Sequence, residues 1–297
     1  MKIEYAEIDT LEHIVDIASN EIPDGTSSIN YVMPFSITIG VIKEKPLKDV
    51  TDEARLWAMK NRPEELHINH GEFIGDGLDQ MISQLSNNKT SNRALISLID
   101  QKVIANSGDN PIPSFMLLQC NIHEDTLYCT AYFRALEVTT FLRVNLEEIR
   151  LKIVAIHDSL QNFKNIKLTI FAFRAYSNKN INTLKIPIID RLSEAKIFST
   201  LSKNPKEISD LLKEKRKDST VVVTTSLERI ISCLEELDDG AVAFNRKLAL
   251  STTRTILEIA IDLKEKRSIN SHHEDFGEMN KTLSEKTLEL SKVIYNA

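Results

Sequence analysis

At 297 residues the chain has room for one large domain, or for a medium domain with an appendage. Hydrophobic residues make up 42% and charged residues 27%, an ordinary globular balance. The formal net charge of -6 leaves no general basic field to draw the chain onto nucleic acid, which is therefore an unexpected partner, although a local basic pocket for one phosphate is compatible with it.

The opening stretch MKIEYAEIDTLEHIV has no basic segment followed by an apolar core, so it does not read as a secretory signal. From Tyr31 to Ile42 the residues are β-branched and aromatic and predict a strand. A helix is expected over 51–63, stopped before Pro63, and a second over GLDQMISQLSNN. RALISLID is a short buried strand or helix, between which periodicity does not decide. Residues 114–122 and 126–134 are two strand-like runs joined by His123, Glu124 and Asp125, a hairpin connection. In the second run Leu127, Cys129, Ala131 and Phe133 form a core face, while Tyr128, Thr130, Tyr132 and Arg134 form the other. Residues 146–161 read as helix and KLTIFAFRAYS as strand.

Beyond residue 200 the composition turns helical. Asn204, Pro205 and Glu207 supply a capping residue, a proline at the first helical position and an acid in the first turn, predicting a helix to about Arg216. Leu227, Ile230, Ile231, Leu234 and Leu237 form one helical stripe, a further helix runs from about Ala243 to Lys266, and the last carries Phe276, Met279, Leu283, Leu290 and Ile294. The expected division is a mixed domain over 1–200 and a helical oligomerisation or partner-binding module over 201–297. No apolar run nears the roughly 20 residues that cross a bilayer. Cys120, Cys129 and Cys233 lack CxxC spacing and read as reduced, packed thiols of a cytoplasmic protein. His67 and His70 of HINH are spaced for a metal but have no matching ligand set, so they read as a solvated face, as does the exposed pair His272-His273. The runs KEKRKD and LKEKR read as solvated helix ends.

The stretch IPSFMLLQCNIHEDTLYCTAYFRALEVTTFLRVNLEEI resembles the heart of the thymidylate synthase and pyrimidine hydroxymethylase family, with its Pro-Cys-His-x-x-x-Gln-Phe, Arg-Ser-x-Asp and Gly-x-Pro-Phe-Asn runs. Pro113, Gln119, Arg134 and Asn145 match, Glu137 replaces the aspartate, and Asn145 falls eleven residues after Arg134 as in the family. Ser91-Asn92-Arg93-Ala94 resembles the segment that sends arginines across the family's dimer interface to a nucleotide phosphate, with Arg93 matching the second. Asp79-Gln80 matches a helical pair of the family, and AFRAYS resembles its Ser-Ala-His-x-Tyr strand, with Tyr176 matching and Arg174 in the histidine's place. The resemblance covers roughly residues 25–190. It implies an α+β fold, a thymidylate-synthase-like mixed sheet with flanking helices, to which the helical module is added. It also implies a homodimer whose ligand contacts are Arg134, Arg93, Gln119, Asn145, Tyr176, Glu137 and Arg174. Physical chemistry agrees with a nucleotide: guanidinium forks suit a phosphate, and an asparagine offers both donor and acceptor to a pyrimidine edge.

The departures concern the reaction. Ser114 stands where the family has its cysteine nucleophile, and a hydroxyl is far harder to ionise than a thiol without a base held against it. Phe115 takes the place of the following histidine, Cys120 points to the opposite strand face from Gln119, and Phe141 and Arg143 replace a glycine and a proline. The segment that closes over folate is missing, so no folate cofactor and no metal are expected. The reading that follows is a catalytically degenerate binder of a pyrimidine nucleotide or related ligand, with a protein partner for the helical tail. Two alternatives stand beside it: a transferase of altered chemistry on the same nucleotides, and a scaffold whose pocket is filled by Phe115, Phe141 and Arg143.

Overall fold

The computed structural model describes residues 3–63, 66, 68–108, 110–178, 186–217, 222–270 and 274–295. His67, His272 and His273 lie outside these residues. The chain divides into two compact units, the first taking in residues to 181 apart from 65–67 and 109–111, and the second those stretches together with 182–297.

The first unit contains β1 (Ala6–Glu7), α1 (Leu11–Glu21), β2 (Ser27–Thr38), α2 (Ile39–Glu44), α3 (Thr51–Ala58), α4 (His70–Ile74), α5 (Gly77–Asn87), β3 (Leu95–Ser97), α6 (Gln101–Asn106), β4 (Phe115–His123), β5 (Thr126–Glu137), α7 (Phe141–Leu160) and β6 (Asn165–Tyr176). Among the described residues six strands make one mixed sheet in the order β1-β2-β6-β5-β4-β3. β4 and β5 are the expected hairpin, and β5 and β6 are parallel neighbours joined through α7. The architecture is α+β.

Alternation decides the two faces of the sheet. Phe35, Leu118, Cys120, Cys129, Phe133, Leu168 and Ile170 are buried under helices. Val32, Tyr128, Tyr132, Phe171 and Phe173 stand on the other face, where the exposed members include Val32, Tyr128 and Phe173. The hairpin loop is one residue shorter than the sequence suggests. His123 pairs with Thr126, leaving only Glu124 and Asp125 to turn, and Glu124 takes a φ of 55° to do so.

Several local expectations are corrected by capping. The strand expected over Tyr31–Ile42 ends at Thr38, whose hydroxyl accepts the Val41 N–H at 3.3 Å and starts α2. α3 stops at Ala58, well short of Pro63. There the Asn69 amide donates to the Met59 carbonyl at 2.6 Å, and Gly71 lies so close that a Cβ would stand 2.4 Å from the Ala58 oxygen. α7 begins five residues ahead of its expected start at 146, because Glu137 caps it with hydrogen bonds from the Thr140 and Phe141 N–H groups at 2.7 and 3.0 Å. RALISLID resolves as strand β3.

The second unit contains α8 (Ile188–Arg191), α9 (Glu194–Lys203), α10 (Pro205–Lys215), α11 (Thr225–Glu236), α12 (Arg246–Ile269) and α13 (Phe276–Tyr295). α8 lies before residue 200 and α9 spans it, and both fall in this unit. Leu201, Leu212, Leu227, Ile230, Leu234, Ile256 and Leu290 are among its core residues. Asn204 does not cap α10 with its side chain and instead donates to Glu207 at 3.2 Å. The KEKRKD run is not wholly a solvated helix end. Lys215 is buried, donating to Asp190 at 2.6 Å and to the Val223 carbonyl at 2.7 Å. No helix among the described residues is long and apolar enough to cross a membrane.

Candidate functional site

The parallel pair β5–β6 fixes a direction: both strands end at one edge of the sheet, where Glu137 pairs with Tyr176. β4 runs the opposite way and begins at that same edge, which brings Ser114 there. The crevice outside the carboxyl ends of parallel strands is where open α/β sheets bind ligands.

Ser114 immediately precedes β4 and is half-buried, and its carbonyl accepts the Arg134 N–H at 2.8 Å. The Arg134 guanidinium reaches back along the entering chain, donating from Nη2 to the Ile112 carbonyl at 3.1 Å and from Nε to the Pro113 carbonyl at 3.3 Å. Partial burial lowers its pKa, which the neighbouring Tyr132 partly offsets. Among the described residues no histidine or carboxylate is hydrogen-bonded to the Ser114 hydroxyl.

Glu137, Tyr176 and Arg174 form the neighbouring set. The Arg174 guanidinium lies 5.9 Å from the centre of the Tyr176 ring. Burial raises the Tyr176 pKa, and the Glu137 charge adds to that effect. Alternation sends Arg174 and Tyr176 to one face and Arg134 to the other, with Arg134 and Arg174 both exposed, so the two sets share an edge and leave from opposite faces. Glu137 is 2% exposed, and its oxygens accept from the backbone of Thr139, Thr140 and Phe141 as well as the Thr139 hydroxyl. That capping accounts for its carboxylate. Asn145 lies buried on the α7 segment that follows.

The remaining two residues lie elsewhere. Gln119 is further along β4 and donates to the Asn92 carbonyl at 2.9 Å. Arg93 is exposed in the turn ahead of β3, where its N–H donates to the Ser91 hydroxyl at 3.1 Å. Two of the three residues read as pocket fillers are engaged in structure. Phe115 is buried, stacked on Phe133 at 4.8 Å, and Arg143 is ion-paired with Asp49 at 2.8 Å and with Glu12.

Sequence reading misses a buried charged cluster on α7. Glu147 is fully buried and held by Arg150 through Nε at 2.7 Å and Nη2 at 2.8 Å. The same carboxylate accepts the Leu47 N–H and the Thr51 hydroxyl, both at 3.0 Å. Glu148, also fully buried, is shared between Lys152 Nζ at 2.5 Å and His70 Nδ1 at 2.6 Å. His70 is thus no part of a solvated face. Its ring lies 4.8 Å from Trp57 and edge-on to Phe115 at 5.5 Å. The i,i+3 and i,i+4 charges of NLEEIRLK look like an exposed helix face, and only the packing of α3 against α7 distinguishes them. No group of three or more histidine, cysteine or acidic residues suited to a metal occurs among the described residues.

On the open face lies a groove of about 640 Å³, lined by Tyr5, Val32, Met116, Thr130, Tyr132 and Phe171 among others. The first unit is α+β, and the lining of this groove does not include Ser114, Arg134 or Tyr176. Comparison with protein-family models gives no match for the chain, and a search of curated proteins gives none either.

Proposed function

We propose that this chain is a catalytically degenerate thymidylate-synthase-like protein, cytoplasmic and homodimeric, that binds a pyrimidine nucleotide or a related ligand. The observation that supports the reading is that Ser114, Arg134 and Tyr176 lie at the same end of neighbouring strands, Arg134 and Tyr176 on opposite faces, with Asn145 on the helix that follows β5. Arg134 has the donors a phosphate needs, and Tyr176 has a hydroxyl for a sugar. Degeneracy is supported by Ser114, a hydroxyl in the thiol's place with no base hydrogen-bonded to it among the described residues. Free cysteines suit a reducing cytoplasm.

Thermal shift and calorimetry with deoxyuridylate, deoxycytidylate and their ribose forms test the reading, with a rise in midpoint expected for at least one. Arg134→Ala should then weaken binding by about 1.5–3 kcal/mol, the worth of charged hydrogen bonds. Unchanged affinity in that variant rejects the phosphate assignment, and no shift with any nucleotide rejects the reading itself.

The open sheet face supports the homodimer. A sheet face carrying Val32, Tyr132, Phe171 and Phe173 is the kind of apolar surface that a second sheet covers at roughly 10 Å separation. Phe171→Asp is expected to convert the protein to monomers in light scattering. A variant that stays dimeric, or a parent that is already monomeric, removes this face from the proposal. The helical unit is proposed as a further oligomerisation or partner-binding module, supported by the exposed Leu248, Ile261 and Ile269 of α12.

A further inference from the structure

The hairpin sets two thiols against each other. Its register pairs Cys120 with Cys129, and the two sulfurs stand 3.4 Å apart on the buried face. The Cys120 N–H donates away from β5, to the Ala94 carbonyl at 2.9 Å, which makes Cys120–Cys129 a non-hydrogen-bonded pair. Opposed residues of that kind have Cα atoms about 4.5 Å apart, within the roughly 4.4–6.8 Å that a disulfide spans. The sulfurs need only rotate about their Cα–Cβ bonds to close towards the bonded distance of about 2.05 Å. Each cysteine is 1% exposed, and hydrogen bonding to Cys129, followed by burial, raises the Cys120 pKa well above the ordinary thiol value. Such thiols are poor fast sensors, because the thiolate is the reactive form. The pair is suited instead to slow closure by a small oxidant and, once closed, to shelter from reductants.

We propose that Cys120 and Cys129 form a latent cross-strand disulfide, closed by hydrogen peroxide and fastening β4 to β5. One sulfur attacks the peroxide to give a sulfenic acid and water, and the second displaces hydroxide from it, forming the S–S bond and a second water. The two thiols lose two hydrogens and the peroxide is reduced. Closure ties together β4, which Ser114 immediately precedes, and β5, which carries Arg134, and it is independent of the nucleotide reading.

The test treats the full chain in native buffer with hydrogen peroxide, then denatures, alkylates and maps it by mass spectrometry. The expected product is two hydrogens lighter, with Cys120 joined to Cys129 and Cys233 alone alkylated. Cys120→Ala and Cys129→Ala should each abolish it, and Cys233→Ala should leave it. The bond should resist dithiothreitol in native buffer and yield once urea is added. Full alkylation of Cys120 and Cys129 after peroxide overturns the proposal, as does their recovery as sulfinic acids or in links between chains. The map of the unaltered chain decides this whether or not the alanine variants fold.

Discussion

Glu147→Ala is expected to destabilise the first unit by about 3–5 kcal/mol, measured as the shift in urea unfolding free energy. The reason is what remains behind. Arg150 keeps its charge in a site where it is 8% exposed, with the Ile42 carbonyl, at 2.9 Å, the one acceptor left to it among the described residues. The Leu47 N–H and the Thr51 hydroxyl lose their acceptor as well. Replacing Glu147 and Arg150 together, by methionine at both positions, should cost less than the sum of the two single changes, because no unpaired charge is left. The pair therefore fixes the segment between β2 and α3 against α7 more than it adds net stability. A loss below about 1 kcal/mol in Glu147→Ala would show the pair to be far more hydrated than its burial implies.

Acid sensitivity should centre on Glu148. Burial by itself pushes this carboxyl up, but the charges of Lys152 and His70 and their hydrogen bonds outweigh it and hold the pKa down to about 2, against 4.5 for a free glutamate. A folded-state pKa below the unfolded one means that the stabilisation is fully present above 4.5 and is lost as pH falls towards 2. The amount is on the order of 3 kcal/mol. Glu148→Gln should be less stable than the parent at neutral pH, because it removes the carboxylate that both Lys152 and His70 hydrogen-bond. Across the acid range its stability should fall less steeply than the parent's. Unfolding free energies measured through that range check this, and parallel acid limbs would locate the titration elsewhere.

How much of this was legible depends on the scale of the signal. The alternation in TLYCTAYF is long enough to identify a half-buried strand and its hairpin partner, and both are present. The carboxyl-edge placement of Ser114, Arg134 and Tyr176 follows once α7 makes β5 and β6 parallel neighbours, which no local pattern states. Ile39–Ile42 has strand composition, yet one hydroxyl at Thr38 turns it into helix, a case of capping outweighing propensity. The Cys120–Cys129 pairing hung on a single residue of loop length, since a two-residue turn sets these positions opposite and a three-residue turn does not. Glu148 and His70 were illegible because their partnership spans seventy-eight positions of sequence and their neighbours look polar. The sequence distance also hid Lys215, whose aspartate lies on α8.

Glu137 has a consequence for whatever approaches the sheet edge. The first turn of a long helix is a natural seat for an anion, and α7 opens at the edge where β5 ends. Here the seat already has a permanent occupant, a carboxylate built into the chain, with the amides of Thr139, Thr140 and Phe141 directed at it. An incoming phosphate finds that helix self-neutralised and meets a negative charge there. What the edge has left to offer an anion is guanidinium, from Arg134 on one face and Arg174 on the other.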